Sequence, residues 1–161
     1  MKILIWPNPT LKLVSENVTE PLTVEEINEL FGAMYTAGGV GLSAIQVGLA
    51  KRWFVMHVGG PRVCVNPIIK TYMGTQVLLN EGCLSLPGQF ETVKRFTEIE
   101  VSYWDSQFCQ EITQVLTGLE AHVFQHEYEH LDGMLFVDKL SSAKRSTIRG
   151  NLQKMKKQGK I

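Results

Sequence analysis

A chain of 161 residues, 44% hydrophobic and 20% charged, has the size and composition of one globular domain. No apolar run approaches the roughly 18 residues a membrane-spanning helix needs, and residues 1–6 are too short for a signal peptide and lack a small-residue cleavage site. The formal net charge of zero excludes a uniformly basic nucleic-acid binder, so DNA is not an expected partner.

Thr23 and Glu26 have the spacing of a capping box, and Ile27, Leu30, Phe31 and Met34 follow at helical intervals. This predicts a helix over about 24–36 that ends at Gly38-Gly39. A glycine-rich stretch, 39–48, comes next. Segments rich in β-branched and aromatic residues then lie at 53–58, 62–65, 76–79, 97–103 and 111–116, with Gly59-Gly60-Pro61 and Asn66-Pro67 read as turns between them. Helical periodicity returns over 118–130, with Leu119, Val123 and Leu131 on or near one face, and Asp132-Gly133 stops it. A last amphipathic helix is expected at about 142–158, with Ile148, Leu152 and Met155 as its apolar stripe. Helices do not alternate with strands, so the expected class is α+β: antiparallel strands around a central helix, with helices at both ends. Without repeats or linkers, residues 1–161 read as one domain.

Charge is unevenly placed along this order. Lys139, Lys144, Arg145, Arg149, Lys154, Lys156, Lys157 and Lys160 fall in a C-terminal segment that carries no acid. All 16 acidic residues therefore lie upstream of it. A solvated helix face explains this as well as contact with a polyanion such as RNA does.

The strongest chemical signal is His126-Glu127-Tyr128-Glu129-His130. On a helix, positions 126 and 130 are one turn apart on one face, so both imidazoles reach one metal ion. Glu127 beside them is placed to handle the proton of an activated water. Catalytic metal sites take three protein ligands and keep one position open. Downstream of His130 there is no His or Glu, and Asp132 sits too near the helix end to fold back, so the third ligand comes from upstream. Cys83, in Glu81-Gly82-Cys83-Leu84-Ser85, is the natural candidate, because a thiolate binds zinc or ferrous iron strongly. Cys64 and Cys109 are read as buried small hydrophobes. Three cysteines without a CxxC spacing suit a reducing compartment, with the cytoplasm as the expected location. Gly39-Val40-Gly41-Leu42-Ser43-Ala44-Ile45-Gln46 lacks both GK[ST] and GxGxxG. It reads either as a packing loop or as a turn passing close to substrate, with one amide to donate to a developing oxyanion.

Together the three stretches resemble, in order and spacing, the motifs of the peptide deformylase family: GxGLAAxQ at 39–46, EGCLS at 81–85 and QHExDHLxG at 125–133. The N-terminal Pro7, Pro9 and Leu11 are similar as well, so the resemblance spans nearly the whole chain. It implies removal of the formyl group from the N-terminal formyl-methionine of newly made proteins. It implies Cys83, His126 and His130 as ligands of one divalent metal, ferrous iron natively, with zinc, nickel or cobalt as substitutes. It further implies Glu127 as general acid/base and Gln46 with the Leu84 backbone N–H as the oxyanion hole. Gly41 would bond the substrate, Glu81 would pair with Arg95 to hold the Cys83 loop and also count among the substrate-binding residues, and Val40, His122 and Val123 would line the methionine pocket. A basic C-terminal helix is similar to one that docks on the ribosome. The chain departs from the family pattern at Ser43, where Ala is usual and another small residue is expected to be tolerated, and at Glu129, where an Asp usually orients the histidines. It departs again at Phe90, where many members carry an Arg that contacts the substrate backbone.

Two other functions compete. An HExxH peptidase requires the downstream Glu or His that this chain lacks. A non-catalytic, metal-stabilised binding module requires a fourth ligand, for which His122 is the candidate. His57 is read as structural.

Overall fold

The computed structural model describes residues 1–106 and 109–161. Helix α1 (Val24–Thr36) begins at Thr23, whose hydroxyl accepts the Glu26 N–H while the Glu26 carboxylate accepts the Thr23 N–H at 2.7 Å. Five strands follow: β1 (Gly41–Ser43), β2 (Trp53–His57), β3 (Pro61–Cys83), β4 (Leu86–Asp105) and β5 (Gln110–Thr117). Helices α2 (Gly118–Leu131) and α3 (Ser142–Lys157) complete the order. The strands form one antiparallel sheet in the order β1-β2-β3-β4-β5, which makes the class α+β. No helix of the described residues is long and apolar enough to cross a membrane.

Strand β2 shows how one sequence serves two cores. Successive side chains of a strand point to opposite faces. Phe54 and Met56 accordingly pack with Val123, Phe124 and Leu131 of α2, whereas Trp53 and Val55 pack with Leu30, Phe31 and Met34 of α1. The Phe54 and Phe124 rings meet edge to face at 5.0 Å. A third cluster brings Trp6 and Leu11 against Cys83, Leu86 and Val93, with Ile148 and Leu152 of α3 closing it.

Two segments differ from the periodicity. The short stretches 62–65 and 76–79 belong to the single 23-residue strand β3, which runs through Asn66-Pro67 instead of turning there. Asn66 adopts a positive φ of 49° at a register shift, and its side-chain amide exchanges hydrogen bonds with the Val18 backbone at 2.8 and 2.9 Å. The bulge absorbs the proline without ending the strand. Likewise 97–103 is part of β4, whose N-terminal half pairs with β3 as far as Cys83↔Leu86. Leu119, placed on the core face by its spacing, is exposed at the rim of a cavity. Cys64 is buried, but Cys109 is exposed, because it sits in the turn before β5 at φ 50°.

Gln125 ties α2 to the sheet. Its amide accepts the Phe96 N–H at 3.0 Å and donates to the Phe96 carbonyl at 2.9 Å, replacing a missing strand neighbour. Past the helix end, Gly133 has φ 71°, and a Cβ there would lie 2.5 Å from the Lys12 carbonyl oxygen. Gly118, at φ 56°, meets nothing within 4 Å. Gly118→Ala should therefore cost about 1 kcal/mol of backbone strain, and Gly133→Ala roughly 2–4 kcal/mol because a backbone clash is added. Urea unfolding midpoints measure the difference, and equal losses would contradict this packing.

Candidate metal centre

The β3–β4 hairpin turns within Leu84 and Ser85, and this turn carries Cys83 to the face of α2. His126 and His130 lie one helical turn apart on that face, their Nε2 atoms 3.2 Å from each other. Cys83 Sγ is 3.2 Å from His130 Nε2, and the three ligand atoms all lie within 4.8 Å of one another. Among the described residues this is the one such group, and His122 is not part of it.

The donor set fits a divalent cation. With arms of about 2.0–2.1 Å to nitrogen and 2.3 Å to sulfur, tetrahedral edges come to about 3.3–3.6 Å. The two spacings that His130 Nε2 makes, 3.2 Å each, fall within a few tenths of an ångström of these edges. His126 turns Nδ1 toward Glu81 Oε1 at 3.0 Å, which leaves Nε2 as the free ligand atom. Burial drives the His130 imidazole to its neutral, ligating form.

Beneath the cluster lies a buried charge network. Arg95, only 1% exposed, donates from Nε to Glu81 Oε2 at 3.0 Å and from one terminal nitrogen to Glu81 Oε1 at 2.7 Å. The other terminal nitrogen reaches Glu129 Oε1 at 2.7 Å. His122 Nε2 lies 2.6 Å from Glu81 Oε2. Burial alone would raise the Glu81 carboxyl, but hydrogen bonds from His122, His126 and Arg95 outweigh it and hold the group far below the usual carboxylate range. Two expectations change here. The Glu81 carboxylate is fully engaged by protein donors, so it supports the site from below instead of contacting substrate. Glu129 touches Arg95 and Lys139, not the histidines; its link to His126 runs through Arg95 and Glu81.

On the other side of the cluster, Glu127 is buried against β1. A Cβ on Gly41 would lie 2.5 Å from Glu127 Oε1, so this glycine leaves the space the carboxylate occupies. Burial pushes the Glu127 carboxyl upward, and the neighbouring His126 imidazole and the Ser43 hydrogen bond only partly offset it. Ser43, expected only as a tolerated small residue, donates its hydroxyl to Glu127 Oε2 at 2.7 Å. An alanine consensus hides that role; the one signal for it was the hydroxyl itself. Gln46 accepts the Ser43 N–H at Oε1 (2.9 Å), which aims Nε2 at Ser85 Oγ (3.2 Å) and Cys83 Sγ (3.4 Å).

A cavity of about 510 Å³ opens onto these groups, and Val40, Gly41, Leu84, Phe90, His122 and Val123 are among its lining. Leu119 and Phe90 are rim residues that periodicity did not single out as pocket wall. Phe90 stands over Gly82, where a Cβ would meet its ring at 2.7 Å. His57 lies apart from the cavity lining, bonded through Nδ1 to the Tyr35 hydroxyl at 2.7 Å.

An α+β sheet crossed by an HExxH helix, with a cysteine closing the ligand set, defines a metal-dependent hydrolase. The polypeptide deformylase family pattern matches residues 1–146. The peptide deformylase of Pseudothermotoga lettingae is 40% identical over 153 residues, covering 94% of this chain and 89% of that protein. Peptide deformylase 2 of Xanthomonas campestris is 41% identical over 167 residues, covering 98% and 96%. The crystal structure of peptide deformylase from Ehrlichia chaffeensis matches with a TM-score of 0.95 at 32% identity, covering 100% of this chain and 99% of that one. The chain belongs to the peptide deformylase family.

Removing one partner of a buried ion pair leaves an uncompensated charge, whereas an exposed pair contributes little. Arg95→Met should therefore destabilise the protein by about 3–5 kcal/mol, and Lys51→Met, which breaks the exposed pair with Glu16, by less than about 1 kcal/mol. Thermal unfolding of the two variants distinguishes them, and comparable losses would contradict the network's role.

Proposed function

We propose that this centre hydrolyses the formyl amide on the N-terminal methionine of newly synthesised proteins, releasing formate and a free amine. The observation that carries the reading is the convergence of Cys83 with His126 and His130, flanked by Glu127 and Gln46. Cys83, His126 and His130 hold the divalent cation, ferrous iron natively, with zinc, nickel or cobalt able to replace it. When bound, the cation supplies Lewis acidity, lowering the pKa of a coordinated water from about 16 toward neutrality.

Glu127 takes the proton of the attacking water and returns it to the leaving amine. Its upward-shifted carboxyl suits both halves of that task, and the Ser43 hydroxyl fixes its orientation. Gln46 Nε2, preset by the Ser43 N–H, donates to the oxyanion together with the Leu84 backbone N–H. Gly41, on the β1 edge of the cavity, bonds the substrate, and Val40, His122 and Val123 receive the methionine side chain. Trp6 and Leu11 share a cluster with Cys83 and α3, which supports reading residues 1–161 as one catalytic domain. The cytoplasm, where newly made chains emerge, is the location this reading favours.

Glu127→Ala should keep about one metal ion per chain and abolish deformylation of formyl-Met-Ala. Gln46→Ala should retain metal and lose on the order of 10²–10³ in kcat. Metal analysis under anaerobic conditions beside a formate-release assay reads both. Retained turnover in Glu127→Ala would remove that residue from its role.

The basic C-terminal segment supports a contact with ribosomal RNA near newly made chains. Lys154, Lys156, Lys157 and Lys160 are exposed, while Ile148 and Leu152 anchor α3 in the core. Changing Lys154, Lys156 and Lys157 to Glu should weaken ribosome co-sedimentation, most visibly at low salt, while sparing turnover of short peptides. Unchanged co-sedimentation would dispose of the contact.

A further inference from the structure

The cavity that receives the substrate side chain contains a buried anion in its wall. Glu81 and His122 both line it, yet the Glu81 side chain is 4% exposed and that of His122 is 12%. The imidazole is thus the surface that the cavity meets, and the carboxylate lies behind it. Glu81 Oε2 has two partners, Arg95 Nε at 3.0 Å and His122 Nε2 at 2.6 Å. Oε1 has two others, Arg95 at 2.7 Å and His126 Nδ1 at 3.0 Å. An ionised carboxylate offers about four acceptor positions, and all are filled. Three of the four donors belong to residues committed to the metal centre or to the ion pair beneath it. His122 and His126 both stand between an acceptor position and the cavity, and of the two only His122 is free of the metal centre.

We propose that His122 is a specificity-determining residue: it covers Glu81 Oε2, so that a cavity with an ionised carboxylate in its wall selects an uncharged side chain. The remaining lining near it is apolar, with Val40, Leu119 and Val123. An uncovered carboxylate oxygen in such surroundings offers a cation a charge-assisted hydrogen bond. It also penalises an apolar group that leaves the oxygen unpaired. His122 removes both effects at once. The inference rests on the deformylase reading of the cavity.

Norleucine and ornithine side chains are nearly isosteric and differ by a terminal methyl against an ammonium, so formyl-Nle-Ala and formyl-Orn-Ala isolate the charge. The wild type should strongly prefer formyl-Nle-Ala. His122→Ala should lower the ratio of kcat/KM for formyl-Nle-Ala over formyl-Orn-Ala at least tenfold, with the absolute value for formyl-Orn-Ala rising. His122→Gln, which keeps a donor for Glu81, should hold the ratio near that of the wild type. His122→Ser provides the same reading as Ala if the latter does not fold. A ratio unchanged in Ala and Ser, or a parallel loss on both substrates, overturns the proposal while leaving the function intact. Lack of wild-type turnover on formyl-Met-Ala would overturn the function itself.

Discussion

The structure depends on bringing one sulfur and two imidazoles to a single point, a demand that no local piece of chain can meet. The two histidines share a helix and come together by periodicity. The sulfur arrives from 43 positions upstream of His126, at the tip of a hairpin whose strands run from Pro61 to Asp105. Every feature that fixes the angle of that hairpin against α2 also fixes the metal centre. The Gln125 amide clamp on Phe96, the packing of Phe54 on Phe124, and the apolar cluster around Cys83 all act in this sense.

Charge around the centre is organised in two opposed ways. On one side, Glu81 is held ionised by a guanidinium and two imidazoles, so its charge orients His126 and is spent on the protein. On the other, Glu127 has lost solvent and gained only a serine hydroxyl and a neighbouring imidazole, so burial dominates and the carboxyl moves upward. Two buried glutamates, one on the histidine-bearing helix and one packed against it, thus diverge in proton affinity. The difference supports the proposal that one is structural and the other transfers a proton.

Most of the site was legible in the sequence, because its chemistry is concentrated in short runs. HExxH on a helical pattern names three residues, and the absence of any downstream ligand directs attention to Cys83. Local patterning failed where tertiary contacts override it. Asn66-Pro67 has turn composition, but Val18 supplies the partners that let β3 continue. Glu129 sits between the ligands in sequence, yet its carboxylate meets Arg95 and Lys139, which strand β4 and the segment after α2 supply. Ser43 was visible only as a substitution, since the depth that places its hydroxyl on Glu127 comes from packing β1 against α2. The engagement of Glu81 by four donors likewise needs the fold, as its partners lie on β4 and α2.

The most direct test of the account is X-ray absorption at the edge of the bound metal in the anaerobically purified protein. It should show one sulfur at about 2.3 Å and two imidazole nitrogens at about 2.0–2.1 Å, completed by light-atom scattering from solvent. A coordination shell without sulfur, or one closed by a further protein ligand, would contradict the convergence of Cys83 with His126 and His130.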